Sequence, residues 1–192
     1  MDVGNGVVNY HRRIMEVSVE RIDATDSSYD MCALVIKGKA FLWHQIRCIV
    51  AILFRVASKK ESPEIVKQLL DIEENPRRPQ YLMASEFPLN LSHCEYKPEL
   101  SWHHDTEAIM LTLKQLQDLW TETSVKATML KSALNAIEDK VQVAHPSRMQ
   151  VDNLYGMNQM KAYIPLLEMD KCLSLEEKLN AMPDRKKRKV IE

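Results

Sequence analysis

The sequence predicts an α+β fold, and three observations carry that reading. Segments near the start alternate apolar and polar residues with the period of half-buried strands. Residues 41–57 then repeat apolar side chains at helical spacing, and a longer run of the same spacing follows Trp102. With 192 residues, 45% of them hydrophobic and 28% charged, the chain can bury a core without a disulfide or metal staple.

The elements follow in order. Gly4-Asn5-Gly6 signals a turn, and residues 7–13 and 14–22 after it read as strands. Residues 23–29 form a polar loop, and the β-branched run 31–36 reads as a core strand closed by Gly38. In the helix over 41–57, Leu42, Ile46, Ile49, Leu53 and Val56 share one side, read as the buried one. His44, Arg47, Cys48, Ala51 and Arg55 share the other, so an imidazole and two guanidiniums point outward. Ser62 is the expected N-cap of a second helix, with Pro63 at its first position and Glu64 complementing the dipole. Ile65, Val66, Leu69 and Leu70 give that helix its core stripe, and it should stop before Asn75-Pro76. Pro76-Arg77-Arg78-Pro79 is a rigid basic loop, and residues 88–96 alternate as a strand.

Thr112 and Gln115 form a capping box that opens a helix of about seven turns. Leu113, Leu116, Leu119, Trp120, Ala127, Leu130, Leu134 and Ile137 mark it, with a break expected near Thr123. Beyond Gln142 the periodicity fails, apart from a weak helix over 174–180 and the basic tail Arg185-Lys186-Lys187-Arg188-Lys189-Val190. Three parts result: 1–102, a helical extension 103–141, and an irregular region 142–192.

Net charge is only −1, from 26 basic and 27 acidic residues, so total charge gives no argument for nucleic acid. The distribution does. Residues 31–60 hold no Asp or Glu, yet Lys37, Lys39, Arg47, Arg55, Lys59 and Lys60 fall there. A local basic surface tracks a phosphate backbone even on a neutral chain; from charge alone a plain solvated face is an equal reading. No apolar run approaches the ~20 residues of a membrane span. No apolar leader core follows Met1, so secretion is not expected. Cys32, Cys48, Cys94 and Cys172 are too scattered for a zinc pair and read as buried thiols. His103-His104-Asp105 reads as an exposed loop, because adjacent imidazoles rarely chelate together. Met129, Met149, Met157, Met160, Met169 and Met182 read as packing and loop residues.

The segment Phe41-Leu42-Trp43-His44-Gln45-Ile46-Arg47 resembles the F-x-x-H-x-x-R motif of TruA-type tRNA pseudouridine synthases. The run from Pro63 to Leu70 resembles that family's next helix. Asn75-Pro76-Arg77-Arg78-Pro79-Gln80-Tyr81, Met83-Ala84 and Pro88-Leu89 with Leu91 resemble the loop and strand that close the active site. The wording is most similar to the eukaryotic branch that modifies the anticodon stem-loop at tRNA positions 38/39. The likeness runs from Met1 to about Trp102, and weaker traces lie at Leu116, Leu119-Trp120, Tyr163 and Pro165-Leu166.

The resemblance implies isomerisation of uridine to pseudouridine, with no cofactor and no metal. It implies a fold in which two similar halves share one long, mainly antiparallel sheet with helices on one face. It places Arg47 beside a nucleophilic Asp, Leu89 against the base pocket and His44 in support. Lys37, Lys39, Arg55, Lys59, Lys60, Arg77 and Arg78 become the RNA-binding set. The physics fits, since a guanidinium lowers the pKa of a desolvated carboxylate, and a flipped base needs a basic groove.

The family's R-x-D-x-G-V motif, which carries that Asp, is missing from these residues, as is the active-site Tyr. Asp2-Val3-Gly4-Asn5-Gly6-Val7 only imitates it. The expectation is therefore the C-terminal half of a synthase, begun at an internal methionine, with no catalytic residue of its own and inactive alone. Its partners are the tRNA anticodon stem-loop, the missing N-terminal half and, in the full-length protein, a second copy; a membrane is not among them. A half-sheet leaves an open edge, so self-association is expected. The alternative is a non-catalytic RNA-binding or dimerisation module, a truncated isoform; an α+β scaffold with no RNA role is the third reading. The basic tail is similar to a nuclear import signal, so the nucleus is the expected location, with the cytoplasm second.

Overall fold

The computed structural model describes residues 9–22, 30–141 and 163–180. The expected turn at Gly4-Asn5-Gly6, the loop 23–29 and the basic tail lie outside these residues. The chain divides into two units, 1–89 with 151–192, and 90–150.

The first unit opens with strands β1 (Ile14–Arg21) and β2 (Cys32–Gly38), paired antiparallel. The mixture of this sheet with helices is the α+β class that the sequence predicts. Opposed residues share a face, so Val17 lies with Ile36 and Val19 with Leu34, while Glu16 lies with Lys37 on the other side. A bulge at Met15 breaks the register between Ile14 and Glu16. The ladder ends on Ile22 N–H donating to the Met31 carbonyl (2.8 Å) and on an Arg21–Asp30 ion pair. Val17 and Val19 stay 54% and 71% exposed, so the apolar face of β1 is uncovered among the described residues. Residues 9–13 are irregular, where the alternation predicts a strand.

Helix α1 is Gln45–Ala57, four residues shorter at its start than the spacing predicts. His44 takes a left-handed conformation (φ 62°) and stops the helix there. Gln45 N–H reaches the Leu42 carbonyl at 2.9 Å, and its side-chain oxygen accepts Leu42 N–H at 2.8 Å. Helix α2 is Glu64–Leu70. Pro63, with helical angles, stands as the N-cap, one residue later than the Ser62 cap read from sequence, and Ser62 Oγ accepts Glu64 N–H at a long 3.4 Å. Asp71 Oδ1 then takes Glu73 N–H (3.1 Å) and Glu74 N–H (3.2 Å) in the turn that closes the helix.

The core comprises Ala51, Ile52, Ile65, Tyr81, Ala84, Leu166 and Met169. It corrects the expected orientation of α1. Ala51 and Arg55, read as outward, are the buried side, at 0% and 1% exposure. Tyr81, Ala84, Leu166 and Met169 come from distant parts of the chain to cover them. Ile46, Ile49, Leu53 and Val56 are half-buried. In α2, Ile65 is buried and Leu69 packs on the core, while Val66 and Leu70 face outward.

The stretch past Tyr163 contributes more than the irregular region predicted there. A 3-10 turn (Leu166–Glu168) inserts Leu166 into the core. Residues 170–172 run antiparallel beside 78–80: Gln80 N–H donates to the Asp170 carbonyl and Cys172 N–H to the Arg78 carbonyl, both at 2.8 Å. A short helix, Leu175–Asn180, follows in the expected place; it is α4, the last element in chain order among the described residues. Its capping box is reciprocal, Ser174 N–H to Glu177 Oε2 at 2.6 Å and Glu177 N–H to Ser174 Oγ at 3.0 Å. These bonds from Ser174, with Arg77 adding, hold the Glu177 carboxyl below its ordinary pKa.

The second unit holds no strand over 90–96, because no neighbouring segment among the described residues offers a ladder. Its main element is α3 (Thr106–Val141), 36 residues without a break at Thr123. The helix starts six residues before the expected Thr112, because Asp105 Oδ1 caps Glu107 N–H (2.9 Å) and Ala108 N–H (3.2 Å). His103 and His104 sit in the exposed loop before it, as read.

Candidate active-site face and basic surface

The first turn of α1 gathers the chemistry. His44 stacks on Trp43 with ring centroids 3.7 Å apart and planes 26° apart. The strained backbone of His44 thus serves to turn the helix start and aim the pair. One turn on, Arg47 Nε donates to the Ala84 carbonyl at 2.7 Å, and its terminal nitrogen pairs with Glu86 Oε2 at 2.8 Å. The Arg47 side chain is 18% exposed and that of Glu86 is 74% exposed. Ala84 N–H returns a bond to the Arg47 carbonyl at 3.3 Å. Helix α1 and segment 84–86 are therefore stapled together, and a turn from Glu86 to Leu89 (2.9 Å) follows. Leu89 stands half-exposed at the end of this turn, beside the fully exposed Phe87. Arg47 and Leu89, 42 positions apart in the chain, meet the same short loop. Two contacts leave several of the five N–H donors of the guanidinium for a further acceptor.

The expected basic set divides. Lys39 and Lys59 are exposed, Lys59 at a left-handed φ of 59°. Lys37 is exposed on β2. Lys60 is exposed, with its ammonium 5.7 Å from the Tyr163 ring centre. Arg77 is exposed and pairs with Glu177 at 3.6 Å. Arg78 reaches back over the Tyr81 ring (4.6 Å) and donates to Cys48 Sγ at 3.1 Å. Arg55 leaves the set. It is buried, donates to the Ala51 carbonyl at 2.7 Å, and lies 5.3 Å from the Tyr81 ring centre. It is a core cation, not a surface one.

That core cation belongs to a polar cluster that periodicity does not reveal. Glu61 Oε1 accepts the Tyr163 hydroxyl and, at 2.7 Å, Leu166 N–H. Burial pulls the Arg55 pKa below its usual value, while Tyr163, Tyr81 and Glu61 oppose the shift. Burial, then Cys48, pushes the Tyr81 phenol up to about 12, against Arg78. Burial and Glu61 raise Tyr163 in the same way. Both phenols stay neutral at working pH and act as rigid packing surfaces. Glu86 is equally invisible in the sequence, since one acid in a loop has no pattern. Its one signal is its place between Met83-Ala84 and Pro88-Leu89.

These features have a counterpart among known proteins. A family profile described as "tRNA pseudouridine synthase" matches residues 2–97, and the chain belongs to that family. The human "tRNA pseudouridine(38/39) synthase" is 35% identical over 202 residues, covering 93% of this chain and 42% of the relative. The Saccharomyces cerevisiae protein of the same name is 41% identical over 106 residues, covering 55% and 23%. The Caenorhabditis elegans "Probable tRNA pseudouridine synthase tag-124" is 32% identical over 189 residues, covering 93% and 46%. The eukaryotic branch expected from the motif wording is the one these relatives represent. The chain spans less than half the length of each.

Proposed function

We propose that this chain forms the Arg-bearing half of a synthase that isomerises uridine to pseudouridine at positions 38/39 of the tRNA anticodon stem-loop. The observation that carries it is the fixed Arg47 guanidinium, held on Ala84 and Glu86 at the loop that leads to Leu89. A carboxylate from an R-x-D-x-G-V segment outside these residues attacks the flipped nucleotide. Arg47 keeps that carboxylate ionised, Leu89 packs on the base, and His44 with Trp43 flanks the entrance. Glu86 is a local counter-charge that yields donors to the incoming acid. Lys37, Lys39, Lys59, Lys60, Arg77 and Arg78 track the phosphates; the buried Arg55 does not. An open edge of the β1–β2 pair receives the half that carries the Asp. The assembled enzyme is a homodimer, and the basic tail directs it to the nucleus.

The 192 residues alone are expected to form no pseudouridine on an anticodon stem-loop RNA. Joined to a segment with R-x-D-x-G-V, they are expected to form it, and a joined protein without product removes the proposal. A non-catalytic RNA-binding or dimerisation module is the second reading; inactivity of the joined protein with tRNA binding intact selects it. Lys39→Ala and Lys59→Ala should each weaken tRNA binding and lower the salt slope, log K against log salt, by about one. Unchanged slopes would place the RNA elsewhere.

A further inference from the structure

Helix α3 exposes more large apolar side chains than any other described element. At 36 residues it is about 54 Å long. From Ile109 an apolar seam runs through Leu113, Leu116 and Trp120 in alternating steps of four and three. Thr123 and Ala127 continue the seam with small residues, and Leu130, Leu134 and Ile137 restore large ones. The seam repeats every seven residues over four heptads, the period that one helix presents to another in a left-handed coil. Its large members are 42–71% exposed. Thr123 Oγ1 is already bonded to the Leu119 carbonyl at 2.8 Å, so the seam buries no orphan hydroxyl there.

We propose that α3 pairs antiparallel with α3 of a second copy, about a dyad near Val125; the inference rests on the homodimer in the proposed function and names its contact. The register is self-complementary. Trp120 meets the partner's Leu130, Leu116 the partner's Leu134, and Leu113 the partner's Ile137. At the centre Thr123 meets the partner's Ala127, which leaves room for the flanking indoles. A parallel pair sets Trp120 on the partner's Trp120 and Ala127 on the partner's Ala127, so one layer is overfilled and another empty. Charge favours the same direction. The first half holds Glu107, Asp118 and Glu122 against Lys114; the second holds Lys126, Lys131 and Lys140 against Glu138 and Asp139. Antiparallel pairing sets the acidic half on the basic half and opposes the helix dipoles. The seam side chains remove on the order of 1,000 Å² from water across both copies, about the least that a biological interface needs.

The test uses the 192-residue chain with its exposed Cys32 and Cys94 changed to serine. Light scattering at tens of micromolar should give twice the 22.3 kDa chain mass. Gln117→Cys and Lys131→Cys proteins, mixed and oxidised, should cross-link to each other and not to themselves, because a parallel pair holds these positions about 21 Å apart. Trp120→Glu should be monomeric with unchanged helix content, since that side chain is 71% exposed in the single chain. A dimer that survives Trp120→Glu, or cross-links only between identical positions, overturns the α3 contact and leaves the homodimer standing. A monomer overturns both.

Discussion

Replacing Arg47 with alanine in a complete synthase is expected to lower kcat on the order of 100-fold or more, while tRNA affinity should change little. Arg47 is 18% exposed and fixed by the Ala84 carbonyl and Glu86, so its charge is largely desolvated and already aimed. A nucleophilic carboxylate brought beside it gains a counter-charge that water cannot replace. Removing one member of such a pair costs about 3–5 kcal/mol, and each 1.36 kcal/mol is tenfold in rate. The loss should fall on turnover, because the lysines proposed to track the phosphates remain. Arg47→Lys should recover little, since an ammonium lacks the fork that meets a carbonyl and a carboxylate together. Single-turnover rates and filter-binding affinities, measured on the same variants, separate the two effects. Equal losses in rate and affinity would remove the assigned role.

Arg55→Ala should destabilise the fold by about 3–5 kcal/mol, the cost of truncating a large buried side chain and a large share of the 5–15 kcal/mol typical of a domain. The side chain is 1% exposed and packs between the Ala51 carbonyl and the Tyr81 ring, near Glu61. Truncation leaves a void beneath α1 and removes the cation that faces the Glu61–Tyr163 bond. The urea midpoint should fall by more than about 1 M, at slopes of about 1–3 kcal/mol per M. The salt dependence of tRNA binding by the folded fraction should not change. An unaltered midpoint with a shallower salt slope would return Arg55 to the surface set.

The elements that local chemistry specifies were legible. β1 declares itself by alternation, β2 by its β-branched apolar run, α2 by its Ser62-Pro63-Glu64 start, and α4 by the residues that follow Ser174. Arg47 could be placed because the motif lies within seven consecutive residues, Phe41–Arg47. Part of what failed required partners far along the chain, and part turned on local backbone and side-chain choices. Which side of α1 is covered depends on residues 79–84 and 163–169, so its spacing alone could not reveal that Arg55 points inward. Residues 88–96 alternate like a strand, yet alternation forms no ladder without a neighbour. His44 shortens α1 through a backbone conformation that spacing does not encode. Thr123 leaves α3 unbroken because its hydroxyl turns back on the Leu119 carbonyl. Asp105 displaced the Thr112 capping box by offering its carboxylate to free amides about two turns earlier.

The pairing of 170–172 with 78–80, and the seat of Leu166, give the chain's later part a hold over its earlier chemistry. Tyr163 and Leu166 grip Glu61, which follows α1 by four residues, and Cys172 grips the backbone of the arginine loop. A lesion in this late segment would loosen the helix that aims Arg47 without altering one residue of the motif. Variants there are expected to lower the melting temperature of the first unit while every residue of the Phe41–Arg47 motif stays intact.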